Sequence, residues 1–352
     1  MSTKMNTQPR ILKGANPFNV NPELDFLAPP QYGVANWSEN MFFIVWNPDE
    51  NVGIFIHTGR CPADIDLWWA QVFAYLPGRE VATSMSWGRP PDNRGPVTGN
   101  MTVRCEEPLH RWTLRFDGAG EKSTTDIMGK QLLGADIAVP MSFDIALDAV
   151  SPVWDLYQAS GVGDRSWAAV HHEQHFITKG WLKVDGKEWR LDGCSFRDHS
   201  VGARDFSILG GDHFLGIVFP HSKRTLQSLT MWTREGSVDL NTATLQENGE
   251  LEIMNEVAIT PADDTVGNPQ QLTMTMTRLS GEKMSLPGEI LHTAPFAILD
   301  PNINLIGVGH CDKDPLIVSA NAVKFTLPDG ESGYGYLERT YRWDYFRQKG
   351  LA

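Results

Sequence analysis

The chain has 352 residues, 41% of them apolar and 21% charged, with a formal net charge of -13. That length suits one large domain or two of ordinary size, and the apolar content can bury a core, which excludes a disordered chain. The acidic balance, with no basic run longer than two residues, argues against nucleic acid or an anionic membrane as the main partner, since both are held by clustered Lys and Arg.

In chain order, the N-terminal MSTKMNTQPRILKGANPF has no apolar core or small-residue cleavage site of a secretion signal. No later apolar run approaches the ~18–20 residues of a membrane span. The expectation is a cytoplasmic protein, monomeric or homodimeric, without a membrane span. Short strand-like runs follow: Met41–Trp46, Gly53–His57, Met101–Val103, Arg111–Phe116, Gly216–Phe219, Leu229–Trp232, Gln271–Thr277 and Ala322–Leu327. Gln271–Thr277 (QLTMTMT) alternates polar and apolar residues, the pattern of a half-buried strand. Ile65–Leu76 has helical length, but its Trp, Val, Phe and Tyr suit a strand equally well. Ser142–Val150 is ambiguous in the same way. Turn chemistry at Asn47-Pro48-Asp49, Asp117-Gly118, Asp185-Gly186, Glu247-Asn248-Gly249 and Pro328-Asp329-Gly330 punctuates the runs. An all-β chain with few short helices, folded as two barrel-sized units, accounts for this pattern. The boundary falls after Val201–Asp205, dividing the chain into 1–205 and 206–352. Cys61, Cys105, Cys194 and Cys311 are widely spaced without a CxxC pair, so they are expected to be reduced and mostly buried.

Two stretches concentrate chemistry. In AAVHHEQHFITKGWLKVDG (168–186), His172 to His175 is one residue short of the HExxH zinc helix. On a strand, alternation puts His171, Glu173 and His175 on one face and His172 and Gln174 on the other. Two imidazoles and a carboxylate could ligate iron or zinc; the competing expectation, which we adopt, is a hydrogen-bonded wall with no metal and no cofactor. In RDHSVGARD (197–205), Arg197, Asp198, His199, Arg204 and Asp205 crowd nine positions. An Asp beside Arg stays ionised, whereas one in a dry aromatic pocket can stay protonated and act as an acid. Which of Asp198 and Asp205 does which is open, and a salt-bridged corner between two units is the structural alternative. Near the C-terminus, SGYGYLERTYRWD (332–344) brings Tyr334 and Glu338 onto a closing strand, where alternation sends one of Glu338 and Arg339 inward and the other to solvent. Twelve tryptophans, Trp181 among them, suit a pocket for an apolar ligand or a cation. No G-x-G-x-x-G, phosphate loop or G-x-S-x-G elbow is present, which argues against dinucleotide, nucleotide and α/β-hydrolase chemistry.

The succession K-G-W-L-x-V-D-G, then G-x-x-x-R-D-H-S-x-G-x-R-D, then G-Y-G-Y-L-E-R resembles the carotenoid hydratase and AttH-like superfamily, in a bacterial branch with a similar R-D-H-S-W-G-x-R-D run. Val201 stands here where that branch has Trp. The resemblance implies two lipocalin-like antiparallel β-barrels in tandem and chemistry on an isoprenoid or other apolar molecule. Hydration, dehydration or isomerisation of a C=C bond or of a tertiary or allylic alcohol would then centre on Asp198 as general acid and His199 as base for water. Glu173 would orient them or serve as an alternative acid, and Arg197 and Arg204 would set the protonation states. Asp205, His171, Trp181, Tyr334 and Glu338 would contact the small hydrophobic substrate. A non-catalytic carrier of a hydrophobic metabolite and a pericyclase are the alternatives.

Overall fold

The computed structural model describes residues 10–130, 137–161, 169–254, 256–261, 271–299, 303–306 and 314–344. Strands dominate it, and all pairing is antiparallel. The first sheet runs, in spatial order, through Lys187–Arg190, Val170–Val184, Gly193–Ala203, Trp37–Asn47, Val52–Cys61, Asp64–Leu76, Glu80–Gly88, Arg111–Thr124 and Met101–Glu107. Ala138–Ala149 pairs with both Val170–Val184 and Arg111–Thr124, closing the sheet into a ring. Closure removes the unpaired edges an open sheet would expose. The second sheet takes Leu209–Phe219 and all later strands, curls around its own core, and recruits Arg10–Lys13 against Glu250–Met254. The N-terminal segment therefore joins the C-terminal unit. No helix among the described residues is long and apolar enough to cross a membrane.

Strand burial explains the sequence patterns. Along Trp37–Asn47, Met41, Phe43 and Val45 fill the first barrel, while Phe42, Ile44 and Trp46 point to the second. Burial on both faces is why MFFIVW reads as an unbroken apolar run. The ambiguous Ile65–Leu76 lies in the strand Asp64–Leu76, and Ser142–Val150 lies largely in Ala138–Ala149; aromatic and β-branched residues there suit a pleated, packed surface. Three cores result: one within each barrel and a third, rich in aromatic rings, between them. Phe42 stands 4.9 Å from Tyr336 and 5.8 Å from Phe214, centroid to centroid, and Phe55 5.7 Å from Phe296. The Tyr75 hydroxyl donates to the Ala320 carbonyl (2.9 Å) across the same junction.

Cys105 and Cys194 are buried and Cys61 partly so, all without disulfides; Cys311 lies outside the described residues. The expected split of Glu338 and Arg339 between interior and solvent is corrected. Arg339 is buried and Glu338 faces the first barrel, because packing of the two barrels leaves the outer face of Ser332–Arg342 no solvent.

Candidate active site

Alternation along Gly193–Ala203 divides the R-D-H-S run between two environments. Arg197 and His199 point into the first barrel. Arg197 Nη2 contacts Asp25 Oδ1 at 2.5 Å and donates to Gln174 Oε1 at 3.2 Å, and its guanidinium lies 4.8 Å from the Trp112 ring. His199 Nε2 lies 2.9 Å from Glu39 Oε1, and Arg60 pairs with the other oxygen of Glu39. The Ala28 amide also donates to Glu39 (2.9 Å), and the Leu109 amide to Asp25 (2.6 Å). Arg197 and His199 thus clamp the segment carrying Asp25 and Ala28 to the barrel. Neither lines the cavity described next, which removes His199 as a base for water there.

Asp198 and Ser200 point the other way. Asp198 lies directly opposite Glu173 in the register, and His171 is placed between the two carboxylates. His171 Nδ1 is 3.0 Å from Glu173 Oε1, and Nε2 is 3.0 Å from Asp198 Oδ1. Burial alone would strip the imidazole of its proton. The charges of Asp198 and Glu173 overturn that and hold its pKa up at about 10. Burial likewise drives Asp198 toward the neutral acid, but His171, aided by Arg204, prevails and holds it below its ordinary value. Glu173, fully sealed, is raised to about 8 by burial in spite of His171.

This triad opens onto a cavity of about 110 Å³ at the junction of the barrels. Phe42, Phe206, Leu209, Phe214, Leu229, Met231, Phe296 and Ile298 make it apolar; His57, His171, Asp198, Arg204, Asp212 and Glu338 supply its polar groups. The second barrel contributes Asp212 from Leu209–Phe219 and Glu338 from Ser332–Arg342. Burial pushes Asp212 well up and the neighbouring Glu338 adds to it, with Thr340 and His171 opposing. Burial raises Glu338 too, although Tyr336 Oη (2.7 Å) and Thr340 Oγ1 (2.9 Å) donate to its two oxygens. His57 is lowered to about 3 by burial, so its imidazole is neutral. An ion pair on one wall thus faces carboxyls pushed toward their neutral form on the other. Wider grooves of about 500 and 770 Å³ elsewhere on the junction hold no such buried ionisable cluster.

Other expected site residues lie apart. Asp205 is exposed and caps the short turn Phe206–Ile208, its carboxylate accepting from the Ser207 amide (2.9 Å). Trp181 shares the strand face of His171, but ten residues along, ~33 Å at strand rise, that face has passed the edge of the junction and Trp181 is 38% exposed. Tyr334 packs on the inter-barrel aromatic layer and lines the groove of about 770 Å³, not the cavity. His171, Glu173 and Asp198 offer ligand atoms within 4.8 Å of one another, a set a metal could use, whereas His175 turns away to Ser151 (3.3 Å). With a carboxylate on each ring nitrogen of His171, the geometry fits a doubly protonated imidazolium better than a metal ligand, which needs a free nitrogen lone pair.

Sequence reasoning missed Asp212 and His57. Asp212 sits in Gly210-Gly211-Asp212-His213, just past the unit boundary, where a lone acid carries no motif. His57 is a single imidazole in an apolar strand. Both become functional candidates only when two sheets meet.

None of the curated proteins compared with the chain matches it. Among solved structures, the AttH-type protein NE1406 of Nitrosomonas europaea superposes with a TM-score of 0.57 at 14% identity, covering 89% of this chain and 98% of its own. Kievitone hydratase of Nectria haematococca gives 0.55 at 14% identity, covering 89% and 93%. CghA bound to Sch210972 gives 0.50 at 10% identity, covering 95% and 98%. These likenesses establish the fold alone, an all-β, tandem lipocalin-like architecture shared with those structures. Residues 21–342 match the family described as a domain of unknown function, DUF7064, and the chain belongs to that family.

Proposed function

We propose that the protein is a hydro-lyase that adds water to, or removes it from, a C=C bond of a small, largely apolar substrate held between its two barrels. We place the division between the units at 205/206, so that the site draws on both. The observation that carries this reading is the pairing of a desolvated acid, Asp212, with an ionised Asp198–His171 pair across one apolar cavity. Protonating an unactivated alkene requires a carboxylic acid that is neutral near pH 7, which a dry site provides. The Asp212 proton adds to one alkene carbon, the π electrons forming the new C–H bond and leaving a cation on the other carbon. The ring faces of Phe42, Phe206 and Phe214 stabilise that cation. Water attacks it and gives its spare proton to the Asp198 carboxylate, so one alkene and one water become one alcohol. Proton return from Asp198 to Asp212 completes the cycle. Dehydration runs these steps backwards.

The acid role thereby moves from Asp198, where the sequence pointed, to Asp212, because His171 favours the ionised form of Asp198. Glu173 acts through His171 as a positioning group. Arg197, His199 and Asp205 hold the scaffold. The fold neighbours include a protein named as a hydratase, which agrees with this class of reaction. Incubation with a panel of branched alkenes and alcohols in doubly labelled water tests the reading: oxygen label in the product and deuterium on carbon are expected. Asp212→Asn should lower turnover by ~10²–10⁴-fold, the range for a lost general acid, with folding intact. Full turnover in Asp212→Asn would overturn the assignment, and tight binding without label would make the protein a carrier.

A further inference from the structure

The catalytic reading gives no direct contact with the substrate to three polar cavity groups, His57, Glu338 and Arg204, and of these Arg204 is the cation. Arg204, at the end of the R-D-H-S-V-G-A-R run, lines the cavity beside Phe206, whose ring is 5.6 Å from the guanidinium. One amino group donates to Ser200 Oγ, on the cavity face of the same strand end. Its Nε is shut off from solvent and has no hydrogen-bond partner, and no carboxylate lies within ion-pair distance of the side chain among the described residues. On the opposite wall Asp212 Oδ1 is also buried without a partner. Leaving a buried charged donor unsatisfied is costly, and a group that recognises nothing would be replaced at little loss by an apolar one.

We propose that Arg204 is a specificity-determining residue and that the substrate carries an anionic oxygen, a carboxylate or an enolate or phenolate, next to the reacting double bond. This rests on the hydro-lyase reading and names its substrate class. The charge balance supports it. Arg204 and His171 bring two positive groups to the cavity, and Asp198 is the one carboxylate lining it that is held ionised, since Asp212 and Glu338 are pushed toward the neutral acid. A bound anion fills that deficit and keeps Asp212 protonated for its role. The same negative charge lowers the cost of a cation formed beside it in a low-dielectric site. It is not consumed. At about 110 Å³ the cavity is somewhat smaller than the ~150 Å³ that takes up benzene, so anion and alkene sit close together and the rest of a larger substrate extends past Leu209 and Met231 toward the small adjoining pocket at Ile208 and Trp232.

Titration calorimetry with two probes tests this. Dimethylacrylate is a branched five-carbon alkene bearing a carboxylate; mesityl oxide has the same skeleton with a methyl group in place of the anionic oxygen. The native protein should bind dimethylacrylate at least about tenfold more tightly, the worth of one charge-assisted hydrogen bond. Arg204→Gln should erase that preference by weakening dimethylacrylate more than mesityl oxide, and Arg204→Lys should retain part of it. Equal binding of the two probes by the native protein, or no binding of dimethylacrylate, overturns the inference without recourse to any variant. A preference that survives in Arg204→Gln does the same. Anion preference without label incorporation upholds this site and sinks the hydro-lyase reading; hydration of a neutral alkene without anion preference does the reverse.

Discussion

Replacing Gly216 by Ala should strike the junction directly beneath the cavity. Gly216 lies in Leu209–Phe219, and a Cβ built on it would meet Phe196 Cδ2 at 2.2 Å, Cγ at 2.3 Å and Cε2 at 2.5 Å. Ordinary contact begins at 3.4 Å, so the ring must retreat by more than an ångström. It has no room to do so. Phe196 is fully buried, with the rings of His175, Phe214 and Phe42 at 5.0, 5.3 and 5.8 Å. Overpacking of this kind costs about 2–3 kcal/mol, which corresponds to a loss of roughly 3–4 °C in Tm for a chain of this size. Because Phe42 and Phe214 also line the cavity, ligand binding should weaken together with stability. Thermal unfolding followed by circular dichroism, with calorimetric binding alongside, measures both. A Tm within about 1 °C of the native value and unchanged binding would show that the barrels do not meet as described.

Three further outcomes are expected. His171 has its folded pKa raised to about 10 against an ordinary 6.5, so its contribution is fully present below about pH 6.5 and is lost as pH rises through 10. Urea unfolding from pH 6 to 10 should therefore show falling stability, and His171→Gln should flatten that fall; an unchanged slope in the variant would sink the triad. Glu173, raised to about 8 from 4.5, acts in the same direction at lower pH, its stabilising effect being lost as pH rises through 8. Gln71 is fully buried with neither amide atom hydrogen-bonded; Gln71→Met should gain about 1–3 kcal/mol, read as a higher urea midpoint, and a lower midpoint would refute the reasoning. Asp25→Asn removes the partner of a fully buried guanidinium and should cost about 3–5 kcal/mol, with the segment around Ala28 becoming open to limited proteolysis; an unaltered digestion pattern would argue against the clamp.

Local chemistry was the part of this fold that could be read directly. Period-two alternation in QLTMTMT and the turn residues between short runs identify strands, because a strand's side chains alternate whatever it packs against. Where both faces are buried, as in Asp64–Leu76, alternation vanishes and helix and strand look alike until tertiary contacts decide. The same alternation correctly separated His171, Glu173 and His175 from His172 and Gln174. It could not say that His175 would turn to Ser151 while Asp198, from the neighbouring strand, completed the triad.

By itself, then, the sequence determined the all-β class, the two-unit scale, and the two strands that carry His171, Glu173 and Asp198. The tertiary structure alone decided which of those groups meet. R-D-H-S is one polar run in the chain, yet its pleat sends Arg197 and His199 into a structural clamp and Asp198 into the cavity. Asp212 and Glu338 come from strands of the other barrel and share the cavity only because the two sheets pack face to face. The physical reason is that charge and desolvation depend on distance in space. An isolated Asp in a strand is an ordinary acid, and it holds its proton more tightly when a second barrel closes over it and removes the water.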